Sequence, residues 1–113
     1  MIKSNFKKKI IIGTANFTQK YGVDPIKINQ LEIKKILKLS KKNNIFKIDT
    51  AYDYFKENKI YKKIDKKFKF ITKITPDHNW KSLDYCKNQL EDHFEKLNGN
   101  KIETLLFHNV DIL

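Results

Sequence analysis

Apolar residues along the chain alternate between short unbroken runs and stretches where they recur every third or fourth position. The runs are Ile10-Ile11-Ile12 within residues 9–13, then residues 45–49, 68–74 and 102–107. Their β-branched and aromatic content predicts four strands, the first with the unbroken apolar pattern of a strand covered on both faces. Pro76 closes the third strand, and the fourth runs into His108. Between the runs the period changes to that of a helix. Asn29, with Glu32 three residues on, predicts a capped helix to about residue 43, with Ile33, Ile36 and Leu37 buried and Lys34, Lys35 and Lys38 in solvent. A second helix is expected over 57–64 on Ile60, Tyr61 and Ile64. The third is the clearest, with Ser82 as N-cap, Leu83, Cys86, Leu90, Phe94 and Leu97 as its buried stripe, and Gly99 as the αL residue that ends it. On that wheel His93 falls opposite the stripe and is expected in solvent. Residues 16–25, with Gly22 and the Asp24-Pro25 pair, are expected as loop.

The order strand, helix, strand, helix, strand, helix, strand predicts an α/β fold of parallel strands joined by right-handed crossovers. At 113 residues the chain is one domain. It is too short for a complete eight-stranded α/β barrel, which takes about 250 residues. A net charge of +11 points toward nucleic acid or an acidic surface, yet every basic residue is lysine. The absence of arginine's planar fork argues against a dedicated nucleic-acid surface. Cys86, the single cysteine, excludes an internal disulfide and reads as a small buried apolar residue. No signal peptide and no apolar run long enough to span a bilayer are visible, so a soluble cytoplasmic protein is expected.

In a parallel sheet the carboxyl ends of all strands lie on one rim, where α/β folds place their chemistry. Asp49, Lys73 and His108 stand at or near three such ends, and Tyr54 follows Asp49 in the next loop. Each has an ordinary structural reading alone: a strand-terminating aspartate, a surface lysine, a histidine satisfied by backbone, a packing ring. Their joint placement favours a site. Gly13, Thr14 and Ala15, small residues after the first strand, leave room for close approach to the backbone.

The segments Ile12-Gly13-Thr14-Ala15-Asn16-Phe17, Ile48-Asp49-Thr50-Ala51 with Tyr54, Ile71-Thr72-Lys73-Ile74 and Leu105-Leu106-Phe107-His108 together resemble the aldo-keto reductase family. Tyr21-Gly22-Val23 after the first segment is similar to its soluble bacterial branch. The family's catalytic tetrad falls on Asp49, Tyr54, Lys73 and His108. The resemblance implies the first half of a TIM (β/α)8 barrel, a single partial domain over residues 1–113 that stops after the fourth strand. It also implies NADPH as cofactor, with Gly13, Thr14 and Asp49 at the nicotinamide end, and a small aldehyde or ketone as substrate. Thr18, Phe55 and Tyr61 stand where the family pattern has glycine.

The chemistry implied is consistent with the side chains. A carbonyl that accepts hydride becomes an alkoxide and needs a proton. Tyr54 would supply it, the Lys73 ammonium would stabilise the phenolate, Asp49 would hold that ammonium, and His108 would bond the carbonyl oxygen. Tyr52 is a rival phenol, and Tyr54 is preferred on the family spacing alone. The family's phosphate-binding segments come later than the fourth strand. The expectation is therefore a fragment, a truncated product or one half of an assembly, inactive as an isolated monomer. Two other readings stay open: a noncatalytic half-barrel that dimerises, and a basic nucleic-acid-associated protein in which His78 and Trp80 stack bases.

Overall fold

The computed structural model describes residues 5, 8–18, 28–55, 64–74, 82–97 and 99–107. Their elements are β1 (Ile12–Gly13), a single helical turn α1 (Ala15–Thr18), α2 (Gln30–Lys42), β2 (Lys47–Asp49), a 3₁₀ turn (Tyr52–Phe55), β3 (Lys69–Ile74), α3 (Leu83–Lys96) and β4 (Ile102–Phe107). The expected helix over 57–64 falls outside the described residues except for its last, Ile64, which is buried. Where a loop was expected after β1, the chain forms α1, closed by a bond from the Phe17 amide to the Thr14 carbonyl of 2.9 Å.

The four strands make one parallel sheet in the order β1-β2-β3-β4. One row across it reads Ile12, Ile48, Phe70, Ile102, and the next Gly13, Asp49, Ile71, Thr104, with a bulge on β4 at Glu103 where the register shifts. Side chains of the two rows point to opposite faces because successive residues of a strand alternate. The first row faces the helices. Ile33 of α2 and Leu97 at the end of α3 join Phe17, Ile48, Ile64, Phe68 and Phe70 in the core. Phe46 meets Phe68 edge-on, ring centroids 5.5 Å apart. The opposite face carries Lys47, Asp49, Lys69 and Lys73, and no described helix covers it.

Local signals fix α2 at both ends. The Asn29 side chain accepts a bond from the Glu32 amide at 2.9 Å. At the other end Asn44 takes the left-handed conformation (φ 58°). Its amide bonds the Lys41 carbonyl at 3.1 Å and the Ile45 amide reaches back to Ser40 at 2.9 Å, a Schellman closure with Asn in the usual glycine position. Gly99 likewise has φ 78° beyond α3. Buried Asn100 then ties two approaches to the sheet, its side-chain amide donating to the carbonyls of Asp65 and Phe68 at 3.0 and 3.1 Å.

Two expectations about faces are corrected. On α3, Leu83 and Phe94 are 82% and 45% exposed, whereas His93 is fully buried. The helix is rotated so that His93 and Leu97 face the sheet, because β3 and the 3₁₀ turn offer His93 and its neighbour polar partners there. On β1, Ile12 packs on the core while Ile11 is 42% exposed, because the face to which Ile11 turns has no described cover. Cys86, the single cysteine, is half-buried and forms no internal disulfide. No helix among the described residues is long and apolar enough to cross a membrane.

Candidate functional site

Asp49 ends β2, and three contacts set its position at the rim. Its carbonyl accepts from both the amide and the hydroxyl of Thr14, at 3.1 and 2.8 Å, which locks β1 to β2. The next amide, of Thr50, bonds the Ile71 carbonyl at 2.8 Å and locks β2 to β3. The carboxylate itself pairs with the Lys73 ammonium. Register explains the pairing: Asp49 lies opposite Ile71, and Lys73 is two residues further along the same face, so its long side chain reaches diagonally back.

Lys73 also donates to the Thr50 carbonyl at 3.1 Å. Its side chain is only 17% exposed, against 41% for Asp49. A cation so far removed from water is retained only when a carboxylate and a carbonyl replace its hydration, and both are present. The carboxylate remains accessible from the open face. A Cβ at Gly13, beside Asp49, would meet nothing within 4 Å, so the backbone is openly approachable at this strand end. Thr14 is buried, with its hydroxyl directed to Asp49, and so acts on the site through that backbone.

The chain then turns through Tyr52–Phe55, held by the Tyr54 amide on the Ala51 carbonyl at 3.0 Å, and this turn packs against β3 and α1. Tyr54 and Tyr52 are both half-buried. The Tyr52 hydroxyl donates to Asp92 of α3 at 2.8 Å, so the rival phenol is directed toward the helix layer. Of the four residues expected at the rim, the structure pairs Asp49 with Lys73 and sets the turn bearing Tyr54 against the strand that carries Lys73. His108 lies outside the described residues, as do His78 and Trp80.

Behind the rim lies a polar cluster that hydrophobic periodicity conceals. The His93 Nε2 is 2.7 Å from the Thr72 hydroxyl, and its ring stands edge-on to Tyr52 at 5.4 Å. Lys96 pairs with Asp92 at 3.0 Å and sits 5.0 Å over the Tyr52 ring. Burial, reinforced by the Lys96 charge and opposed by Asp92, pushes His93 down to about 4, so it is neutral at ordinary pH. Lys96, and then the Tyr52 hydroxyl, hold the Asp92 carboxyl below the usual carboxylate range. Among the described residues no group of three or more His, Cys, Asp and Glu side chains could hold a metal ion. No family model, curated protein or solved structure matches the chain.

Proposed function

We propose that this rim is the proton-donating end of an aldo-keto reductase-like site that reduces a small aldehyde or ketone with NADPH. The observation that carries the reading is the Lys73–Asp49 ion pair at the carboxyl ends of adjacent parallel strands, with the Tyr54 turn packed against the strand of Lys73. Two further features support it. The sheet runs in sequential order without a reversal, and α2 and α3 share one face, as in the first half of a (β/α)8 barrel and unlike a doubly wound sheet.

The bound cofactor would supply hydride to the carbonyl carbon. Tyr54 would give its proton to the oxygen as the negative charge develops there, and the Lys73 ammonium would stabilise the phenolate left behind. Asp49 fixes that ammonium, and His108 is assigned to the carbonyl oxygen by resemblance. The open space over Gly13 beside Asp49 suits the flat nicotinamide end. Thr14 would contribute by holding the two strand ends together.

Thermal melting of the full chain titrated with NADPH tests the reading. A ligand that binds only the folded state stabilises it by about 2.7 kcal/mol at a hundredfold excess over Kd. The melting temperature should rise with NADPH, and Gly13→Val, which fills the open space, should remove the rise. Tyr54→Phe should retain it while losing any aldehyde reduction the native chain shows. A melting temperature indifferent to millimolar NADPH would overturn the reading.

The second reading, a noncatalytic half-barrel that dimerises, is favoured by one observation. Leu105, Leu106 and Phe107 of β4, on both faces of an edge strand, are 39–52% exposed. A monomeric mass by light scattering at tens of micromolar would eliminate it.

A further inference from the structure

The cluster behind the rim joins the two elements that carry the proposed chemistry. Thr72, bonded to His93, immediately precedes Lys73 on β3. Tyr52, bonded to Asp92 and packed on the His93 ring, lies two residues before Tyr54 in the 3₁₀ turn. Asp92 and His93 are adjacent on α3. One turn of one helix therefore grips both the strand of the ammonium and the turn of the phenol.

We propose that Asp92 and His93 are positioning residues, which set Tyr54 relative to Lys73 by anchoring Tyr52 and Thr72 from the helix layer. The proposal rests on the reading of Tyr54 and Lys73 as proton donor and its stabiliser. Three observations carry it. The cluster is specific in geometry, with a phenol–carboxylate bond of 2.8 Å and an imidazole–hydroxyl contact of 2.7 Å. It displaces apolar side chains: α3 leaves Leu83 and Phe94 exposed while burying His93, an arrangement that hydrophobic packing alone would not select. It is also fixed in charge, since Lys96 pairs with Asp92 and lies over Tyr52, so the carboxylate is held ionised as an acceptor for the phenol.

The anchoring is directional. Thr72 pairs with Leu105 of β4, and β3 is also held to β2 through residues 69–71, so β3 does not depend on His93 for its place. The 3₁₀ turn spans only Tyr52–Phe55, and its attachment to α3 runs through the side chain of Tyr52. The turn is the element that should move when the anchor is cut.

The test is amide hydrogen exchange on the isotope-labelled full chain, read at Tyr54, whose amide closes the turn, and at Phe70, whose amide bonds Lys101 within the sheet. In Asp92→Asn and in Tyr52→Phe, which keeps the ring on His93, Tyr54 should exchange about tenfold faster, equivalent to about 1.4 kcal/mol, while Phe70 is unchanged. A carbon-labelled tyrosine titration adds a readout that structural loosening does not supply. Lys73→Met should raise the Tyr54 phenol pKa, and Asp92→Asn should raise it in the same direction. Unchanged exchange at Tyr54, or equal acceleration at Tyr54 and Phe70, overturns the positioning role. If Lys73→Met leaves the phenol unmoved while Asp92→Asn frees the Tyr54 amide, the anchor stands and the proton-donor reading falls.

Discussion

The fully buried His93 makes a quantitative prediction about acid stability. In the unfolded chain its imidazole titrates near 6.5, and in the folded protein burial and Lys96 push it down to about 4. Between these values the unfolded state binds the proton and the folded state does not, so stability falls as pH is lowered from about 7 toward 4 and is fully present above that window. The separation of 2.5 pH units sets a ceiling of about 3 kcal/mol, and between pH 7.5 and 5 the loss is about 2 kcal/mol. That is a large share of the roughly 5–15 kcal/mol available to a small domain. The groups that face the ring or lie beside it are Tyr52, Thr72, Asp92 and Lys96. Asp92 is held low by Lys96, so it loses stability only at more acidic pH. Urea unfolding at a series of pH values, in the native chain and in His93→Leu, isolates the effect. His93→Leu loses the Thr72 contact and is less stable at pH 7.5, but the quantity compared is the slope. The native slope between pH 6 and 5 should approach one proton, and the variant's should be smaller by nearly that amount. Equal slopes in the two proteins would refute the assignment of a buried, neutral His93.

Two further substitutions examine the scaffold. Phe70→Ala removes a fully buried ring from the centre of the core and should cost about 3–5 kcal/mol, read as a lower urea midpoint. Asn29→Ala removes the side-chain acceptor of the Glu32 amide and should cost about 1 kcal/mol without changing the urea m-value.

The parts of the fold that were legible in the sequence are those governed by local interactions. Asn29 and Glu32 mark the start of α2, and its end at Lys42 falls beside the expected residue 43, because capping uses groups within a few residues of the helix terminus. β4 keeps its expected bounds, Ile102–Phe107, since β-branched and apolar residues there leave no competing period. The buried face of α3 was not legible. Periodicity reports the transfer preference of each side chain, and Phe94 outranks His93 on that measure. What decides the rotation is the hydroxyl of Thr72 and the phenol of Tyr52, which lie 21 and 41 positions earlier in the chain. The rim shows the same division. Asp49 and Lys73 could be placed together because parallel register carries both to one end of the sheet. The direction of Tyr52 toward Asp92 depends on the 3₁₀ turn, which hydrophobic pattern does not encode.

The chain contains 24 lysines, and sequence singles out Lys73 among them only by its place near a strand end and by the family resemblance. Burial and pairing distinguish it physically. The lysines of α2, Lys34, Lys35 and Lys38, lie on its exposed face, as an amphipathic helix requires. Lys41 and Lys96 have partners in Asp65 and Asp92, yet their side chains remain 46% and 38% exposed, so hydration shares the stabilisation of each. Lys73 is different in kind. At 17% exposure it has given up most of its water for a carboxylate and a carbonyl on the neighbouring strand. The sheet could have placed an apolar side chain at this position, as half-buried Ile71, the neighbour two residues earlier on the same face, shows. Holding an ammonium there costs desolvation that the ion pair and the Thr50 carbonyl offset, and an ion pair of this type adds little to stability over an apolar isostere. The arrangement is therefore better explained by a use for a fixed positive charge at the rim than by a need for it in folding, which is why the proposed reduction is built on Lys73.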